Sequence, residues 1–102
     1  MGVSTKKQMK QERAPPSIPL FSLQFTHKAQ KQLKSLSPQV RQQYQKAFHL
    51  LSTQGTHYRS LRTHRYQQKK STIWGSSASM FLRFYWKYQD SSVILIIFLG
   101  SH

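Results

Sequence analysis

The segment from His57 to Lys70 interleaves cations, imidazoles and aromatic rings. It holds five Lys or Arg residues in the twelve positions from Arg59 to Lys70, with Tyr58 and Tyr66 in the same segment. Cations at this density can hold phosphate groups, and tyrosine rings can stack on unpaired bases. A solvated basic loop without a partner is the alternative. We select as candidates for contact with a nucleic acid Arg62, His64, Arg65, Lys69 and Lys70.

A later segment, from Ser79 to Tyr88, alternates like a strand whose two faces differ in chemistry. The predicted apolar face carries Met80, Leu82, Phe84, Trp86 and Tyr88. The opposite face carries Phe81, Arg83, Tyr85 and Lys87. A buried core would not select an arginine between two aromatic residues, so we expect the second face to be open and to meet the same anionic partner.

Histidine is the side chain of this sequence that can exchange protons near neutral pH. Among the histidines, His64 and His102 are the candidates for this role amid the positive charge of the chain. The alternatives are a packing role for His64 and a frayed chain end for His102. Metal-binding spacing such as HExxH is absent, the chain has no Cys, and its acidic residues are only Glu12 and Asp90. Cys-bound zinc, a carboxylate metal cage and a paired-carboxylate hydrolase are therefore excluded, and we expect no metal and no other cofactor.

Length and charge narrow the class of protein further. A chain of 102 residues has room for one small domain, and a net charge of +14 points to a polyanionic partner, since core packing does not need it. The longest apolar run, Val93 to Leu99, is far shorter than the roughly 20 residues of a membrane span. The basic start has no apolar stretch typical of a secretory signal, so we expect a cytoplasmic protein without a membrane partner.

The elements that must position these residues can be predicted from local patterns. Residues 1–19, basic and proline-rich at the end, predict a flexible arm, and residues 20–102 a single domain. An alternating strand over Leu20 to Phe25 is followed by a helix capped by Thr26. A second helix begins at Ser37-Pro38 and ends at Gly55. About three strands follow, starting near Ile73, and the fold class is α+β with an antiparallel sheet and both helices on one face.

Several short motifs in this order resemble the RelE/ParE toxin superfamily. Ser60 to His64 reads Ser-Leu-Arg-Thr-His, Trp74 precedes Arg83 by nine residues, and an apolar strand leads to Gly100 to His102. With the strand-helix-helix opening, the resemblance covers Phe21 to His102. It is closer to the RelE-like branch than to the gyrase-poisoning ParE branch.

The resemblance implies a type II toxin that enters the ribosomal A site and cleaves mRNA. It implies attack of the ribose 2′-OH on the adjacent phosphorus without a metal. Arg83 falls where the family places an arginine that stabilises the phosphorane, and His102 falls beside the scissile phosphate. We add Arg62 and His64 to this catalytic set. Expected RNA contacts are Arg65, Lys69, Lys70, Trp74, Phe81, Tyr85 and Lys87, with Trp74 either stacking on a base or packing in the core.

The implied partners are mRNA, the ribosome and an acidic antitoxin encoded nearby. Family members usually continue beyond the position of His102 with an acidic residue and an aromatic one, which this sequence does not show. The alternatives are therefore a RelE-fold protein that binds RNA and antitoxin without cleaving, or a ParE-like gyrase inhibitor.

Overall fold

The computed structural model describes residues 18–67 and 70–101. The predicted arm over residues 1–19 lies outside these ranges apart from Ile18 and Pro19, as do Lys69 and His102. The elements, in chain order, are β1 (Ser22–Phe25), α1 (His27–Lys34), α2 (Pro38–Gln54), a 3₁₀ turn (Arg59–Leu61), β2 (His64–Gln67), β3 (Thr72–Ser77), β4 (Leu82–Asp90) and β5 (Val93–Ser101).

The five strands form one mixed sheet in the order β1-β5-β4-β3-β2. β1 pairs with β5 in parallel, and the other neighbours are antiparallel. The predicted α+β class, with one strand followed by two helices and then the rest of the sheet, is confirmed. Four strands follow α2 where about three were predicted, and they are antiparallel to one another, as predicted. The parallel pairing of β1 with β5 was not predicted.

The strand that the sequence did not predict is β2. All four of its residues are exposed, so they lack the alternation of apolar and polar residues that marks a half-buried strand. It lies at the edge of the sheet and is held by its pairing with β3. Because this pairing rests on backbone hydrogen bonds and not on a buried apolar face, it leaves no local pattern, and the segment resembles a polar loop in sequence.

β4 begins later than predicted, at Leu82. Met80 was predicted on the apolar face, but its side chain is 81% exposed. Residues 78–81 form the turn between β3 and β4, where the Ser79 hydroxyl accepts from the N–H groups of Phe81 (3.3 Å) and Leu82 (3.2 Å). A serine hydroxyl that accepts hydrogen bonds from backbone N–H groups two and three residues later favours a turn over a strand, and this explains why β4 is shorter than predicted.

Both helices begin and α2 ends where local chemistry predicts. The Thr26 hydroxyl accepts from the N–H of Ala29 at 3.1 Å, and the Ser37 hydroxyl accepts from the N–H of Val40 at 3.3 Å. These caps satisfy donors that the first helical turn leaves unpaired. Gly55 follows α2 with a φ of 99°, a conformation that L-residues with a side chain rarely adopt.

The helices cover one face of the sheet. Phe48 of α2 packs edge-on against Phe84 of β4 with ring centroids 5.0 Å apart, and against Phe25 of β1 at 5.3 Å. The buried core comprises Ala29, Tyr44, Ala47, Phe48, Leu51, Leu61, Phe84, Trp86, Ile94, Ile96 and Leu99. We call the opposite side of the sheet the open face, because no helix of the described ranges packs against it.

α1 also protects the edge of β5 beyond its pairing with β1. The side-chain amide of Gln32 accepts from the N–H of Leu99 at 2.7 Å and donates to the Leu99 carbonyl at 3.1 Å. The Thr26 hydroxyl donates to the carbonyl of Ile97. Helix side chains thus take the place of a neighbouring strand at an edge that would otherwise be unpaired. No helix within the described residues has the length and apolar character to cross a membrane.

Candidate functional site

A cleft of about 790 Å³ opens where α2, the 3₁₀ turn and the β3–β4 turn meet. Four of its lining residues carry positive charge or can acquire it, namely Lys46, Arg62, His64 and Arg83. The exposed side chains of Met80 and Phe81 form one wall. The structure therefore brings together three of the four residues predicted to be catalytic.

The 3₁₀ turn places Arg62 and His64 at this cleft. The side chain of Leu61, the last residue of the turn, is 1% exposed and fixes the turn to the core. Arg62 then has a left-handed backbone, with φ 47° and ψ 52°, the one positive φ of a non-glycine residue among those described. Such a backbone is uncommon for arginine and persists where the surroundings impose it. It reverses the chain so that Arg62 lines the cleft and β2 begins at His64.

Thr63, between these two residues, is tied to the core by a chain of hydrogen bonds. The indole N–H of Trp86 donates to the Ser76 hydroxyl at 2.9 Å, and that hydroxyl lies 2.8 Å from the hydroxyl of Thr63. Because the indole can only donate, Ser76 accepts from Trp86 and can use its own proton toward Thr63. Ser76 is fully buried, so this network holds the Arg62–His64 segment in a defined position.

Arg83 is held from both faces of β4. On the open face its Nη2 donates to the hydroxyl of Tyr66 at 3.3 Å. On the helix face the hydroxyl of Tyr44 lies 3.0 Å from the carbonyl oxygen of Arg83 and 2.9 Å from that of Gly100. Burial raises the pKa of the Tyr44 phenol above its ordinary value. A neutral phenol therefore bridges β4 and β5 directly beneath Arg83.

Two glycines make room for the ring of Tyr85 on the open face. A Cβ added to Gly75 would lie 3.0 Å from Tyr85 Cε1 and 2.8 Å from Tyr66 Cε2, and one added to Gly100 would lie 3.2 Å from Tyr85 Cε2. Such distances are too short for ordinary contact. The glycines on the two neighbouring strands thus permit aromatic rings above the backbone of β3 and β5.

The remaining predicted RNA contacts are more dispersed. Phe81 lines the cleft. Tyr85 and Lys87 share the open face with Arg83, since they alternate along β4. Lys70 is exposed between β2 and β3, and Arg65 is exposed on the opposite side of β2 from His64. Lys69 and His102 lie outside the described residues.

Trp74 is not near the cleft. Its ring stacks on that of buried Trp86 with centroids 5.7 Å apart and 12° between planes, and it meets Tyr88 edge-on at 5.9 Å. Because Trp86 faces the helices, the partly buried ring of Trp74 packs against the core.

Lys46 was not identified from the sequence. It lies on α2 one turn before Leu50, and both residues line the cleft. The only sequence signal is its position beside the apolar positions Ala47 and Leu50, and a lysine there usually faces solvent. Only the approach of the 3₁₀ turn and the β3–β4 turn to α2 places it in the site.

The electrostatics of the cleft are one-sided. Asp90 is the one acidic residue among those described, and it lies at the far end of β4, where its carboxylate accepts from the N–H of Ser92 at 2.8 Å. Among residues 18–67 and 70–101, none that lines the cleft is acidic. In the described parts of the chain, no three His, Asp or Glu residues lie close enough together to hold a metal ion. The arrangement suits a ligand with several negative charges, such as a phosphodiester.

Comparison with known proteins identifies the fold. No protein-family model and no curated protein sequence matches the chain. Among solved structures, the RelE-RelB complex from Pyrococcus horikoshii OT3 is 12% identical with a TM-score of 0.66, and 80% of this chain and 94% of that chain are covered. The YoeB dimer from Staphylococcus aureus is 10% identical with a TM-score of 0.66, covering 81% and 98%. The toxin-antitoxin complex RelBE2 from Mycobacterium tuberculosis is 17% identical with a TM-score of 0.65, covering 83% and 100%.

Proposed function

We propose that this chain, which has the RelE-like fold, is the toxin of a type II toxin-antitoxin system and cleaves mRNA on the ribosome in the cytoplasm. The observation that carries this proposal is the convergence of Arg62, His64 and Arg83 in one cleft, which has no acidic residue in its described lining. The fold supports it, because similar structures include RelE and RelBE2 toxins. At these low identities the fold is shared, and the activity is our inference from the site.

The chemistry proposed for the cleft uses the RNA itself as the nucleophile. The ribose 2′-OH gives up its proton and attacks the adjacent phosphorus, the bond to the 5′ oxygen breaks, and that oxygen takes up a proton. The products are a cyclic phosphate and a 5′-OH end. No protein nucleophile is needed, which fits a cleft that offers cations and an imidazole.

Each charged group of the cleft has a role in this proposal. Arg83 stabilises the negative charge that develops on the phosphorane, and its hydrogen bond to Tyr66 orients the guanidinium before substrate arrives. His64 exchanges a proton with the attacking or the leaving oxygen. Arg62 and Lys46, which both line the cleft, hold neighbouring phosphates. His102, outside the described residues, is proposed to act beside the scissile phosphate.

RNA outside the cleft is proposed to contact the remaining basic and aromatic residues, Arg65, Lys69, Lys70, Phe81, Tyr85 and Lys87. Trp74 is omitted, because its ring packs on Trp86. The arm over residues 1–19 is proposed to add charge to RNA binding without contributing to the domain of residues 20–102. No metal or other cofactor is part of the proposal.

An antitoxin is the proposed protein partner. Two of the similar structures are complexes, RelE with RelB and the toxin-antitoxin pair RelBE2. A chain with a net charge of +14 is expected to attract an acidic segment of such a partner.

Induced expression followed by primer extension on a translated message tests the proposal. We expect growth arrest and new 5′ ends in phase with codons, both suppressed by co-expression of an acidic protein encoded beside this chain. Growth arrest without new ends would support a protein that binds without cleaving. Induction of a DNA-damage response without cleavage would support a gyrase inhibitor and overturn the proposal.

A further inference from the structure

Three aromatic rings form a continuous row on the open face of the sheet, and we call Tyr66, Tyr85 and Phe98 the aromatic strip. They come from β2, β4 and β5. The Tyr66 and Tyr85 ring centroids lie 6.1 Å apart with 60° between planes. Those of Tyr85 and Phe98 lie 4.6 Å apart at 23°. None of the three residues is fully buried, and Tyr66 is 42% exposed.

The strip is held in place before any ligand binds. Tyr85 sits between Gly75 and Gly100, which leave the space that its ring fills. Tyr66 is fixed over Gly75 and accepts a hydrogen bond from Arg83. Rings held by neighbouring strands lose little conformational freedom on binding, which favours a recognition role.

Positive charge accompanies the strip along its whole length. The Nζ of Lys28, at the start of α1, lies 5.2 Å from the ring centroid of Phe98. Lys87 follows Tyr85 by two residues on the same face, and Arg83 precedes it by two. Each ring therefore has a cation beside it, because Arg83 also donates to the hydroxyl of Tyr66. Alternating rings and cations match a chain of bases joined by phosphates.

The strip is continuous with the candidate cleft. Arg83 lines the cleft and also donates a hydrogen bond to the hydroxyl of Tyr66, the first residue of the strip. A strand of RNA that leaves the cleft past Arg83 would meet Tyr66, then Tyr85, then Phe98 and Lys28. Carboxylates of an acidic polypeptide would use the cations, but every nucleotide also carries a base that can stack on the rings, so single-stranded RNA is the better match.

We propose that the aromatic strip, together with Lys28 and Lys87, binds the single-stranded RNA that continues from the cleft. This inference rests on the proposed function for the identity of the nucleic acid. It assigns to Lys28 and Phe98, neither of which lines the cleft, a role in substrate binding.

Binding of the full chain to labelled oligoribonucleotides tests the strip. The probes are RNA of about ten nucleotides, long enough to leave the cleft, and of about three nucleotides, both with 2′-O-methyl groups that prevent cleavage. We expect Phe98→Leu to weaken binding of the long RNA about tenfold or more and to leave the short RNA unchanged. Phe21→Leu is the matched control, because Phe21 is a half-buried aromatic residue that packs on Tyr88 at 6.0 Å and lies outside the strip. Thermal melting shows that each variant is folded.

The charge on the strip has its own readout. Lys28→Gln is expected to reduce the slope of log affinity against log salt by about 0.7 for the long RNA, as the loss of one phosphate contact to a single strand requires. Lys34→Gln, on the same helix and also exposed, is expected to leave the slope unchanged.

Failure of this inference differs from failure of the proposed function. If the unaltered chain cleaves a translated message but Phe98→Leu and Phe21→Leu bind the long RNA with the same affinity, the proposal for the strip fails and the toxin proposal stands. If the variants lose affinity for the long RNA and no cleavage occurs on ribosomes, the strip stands and the toxin proposal fails. Three other results would overturn the proposal for the strip. Phe98→Leu could weaken binding of short and long RNA equally, or the unaltered chain could fail to bind the long RNA. The third is that Phe98→Leu loses affinity for poly-glutamate, a model of an acidic polypeptide, and not for RNA.

Discussion

Arg83 takes its position from two tyrosines on opposite faces of one strand. Tyr66 bonds its guanidinium, while Tyr44 lies within hydrogen-bond distance of its carbonyl oxygen. The side chain and the backbone are thus fixed by separate contacts, so changes to the guanidinium need not disturb the bridge between β4 and β5. This separation allows the function of Arg83 to be tested without loss of the fold.

Arg83→Ala is expected to lower the rate of RNA cleavage by about 10²- to 10³-fold, since one preorganised donor to a developing phosphorane is lost. The melting temperature is expected to stay within a few degrees, because no core cavity opens. Cleavage by purified protein on programmed ribosomes and thermal melting provide the two measurements. Arg59→Ala, an exposed arginine of the 3₁₀ turn that does not line the cleft, is the control. Unchanged cleavage by Arg83→Ala would move the site elsewhere.

Tyr44 is expected to make stability sensitive to alkaline pH. Burial raises the pKa of its phenol in the folded chain above the 10.0 of an unperturbed tyrosine. As pH rises above about 10, the unfolded chain releases this proton first, so the contribution of Tyr44 is complete below that pH and is lost as pH rises through the folded pKa. Tyr44→Phe is expected to cost about 1 kcal/mol at neutral pH and to lose less stability between pH 9 and 11. Urea unfolding at several pH values measures this, and parallel pH profiles for the two proteins would contradict it.

At the scale of elements, side chains of α1 complete the hydrogen bonding of β5. Gln32 satisfies both the N–H and the carbonyl of Leu99, which is itself a core residue. Because this edge has no partner strand beyond Ile96, one amide side chain serves as the neighbour.

Gln32→Ala is expected to destabilise the fold by about 1–3 kcal/mol, since it leaves two partly buried backbone groups without partners. Gln42→Ala, on the exposed side of α2, is expected to change stability by less than about 0.5 kcal/mol. Denaturant unfolding compares the two variants. A loss in Gln32→Ala no larger than that in Gln42→Ala would show that water replaces the amide at little cost.

β3 contributes to the site through the absence of a side chain at Gly75. In Gly75→Ala the new Cβ would meet ring atoms of Tyr66 and Tyr85, so these rings must shift on the open face. We expect a loss of about 1–3 kcal/mol in stability and a fall in cleavage rate, since Arg83 loses its aligned partner. Tyr66→Phe removes only the hydroxyl and separates the loss of that hydrogen bond from ring displacement. Full activity in Gly75→Ala would show that the position of Tyr66 does not matter to Arg83.

For the whole molecule, charge is the dominant property. Sixteen Lys and Arg residues face two acidic ones, and the described acid, Asp90, lies away from the cleft. Such an imbalance contributes little to folding, but it governs association with a polyanion and the dependence of that association on salt.

Affinity for single-stranded RNA is expected to fall by roughly 300- to 1,000-fold between 50 and 200 mM salt, if about six of the cations contact phosphates. Fluorescence anisotropy across a salt series gives the slope. Removal of residues 1–17 is expected to reduce the slope without lowering the melting temperature, because the sequence predicts that the domain begins at residue 20. A flat response of affinity to salt would remove the polyanion as partner.

Local sequence patterns were sufficient to predict several features of the fold. Thr26, Ser37-Pro38 and Gly55 mark the helix boundaries, because capping depends on residues within one turn of the helix end. Alternation along β4 separated the basic and aromatic face from the core face, since a strand has a period of two. The same pattern correctly grouped Arg83 with Tyr85 and Lys87.

The tertiary structure decided what depends on contacts between distant residues. The parallel pairing of β1 with β5, the packing of Trp74 on Trp86 and the position of Lys46 in the cleft all require such contacts. Each arises from hydrogen bonds or packing between segments far apart in the chain, and these leave no periodic trace in either segment alone. The sequence by itself determined the charge, the capped helices and the two-faced strand, and the fold determined which of the cations meet.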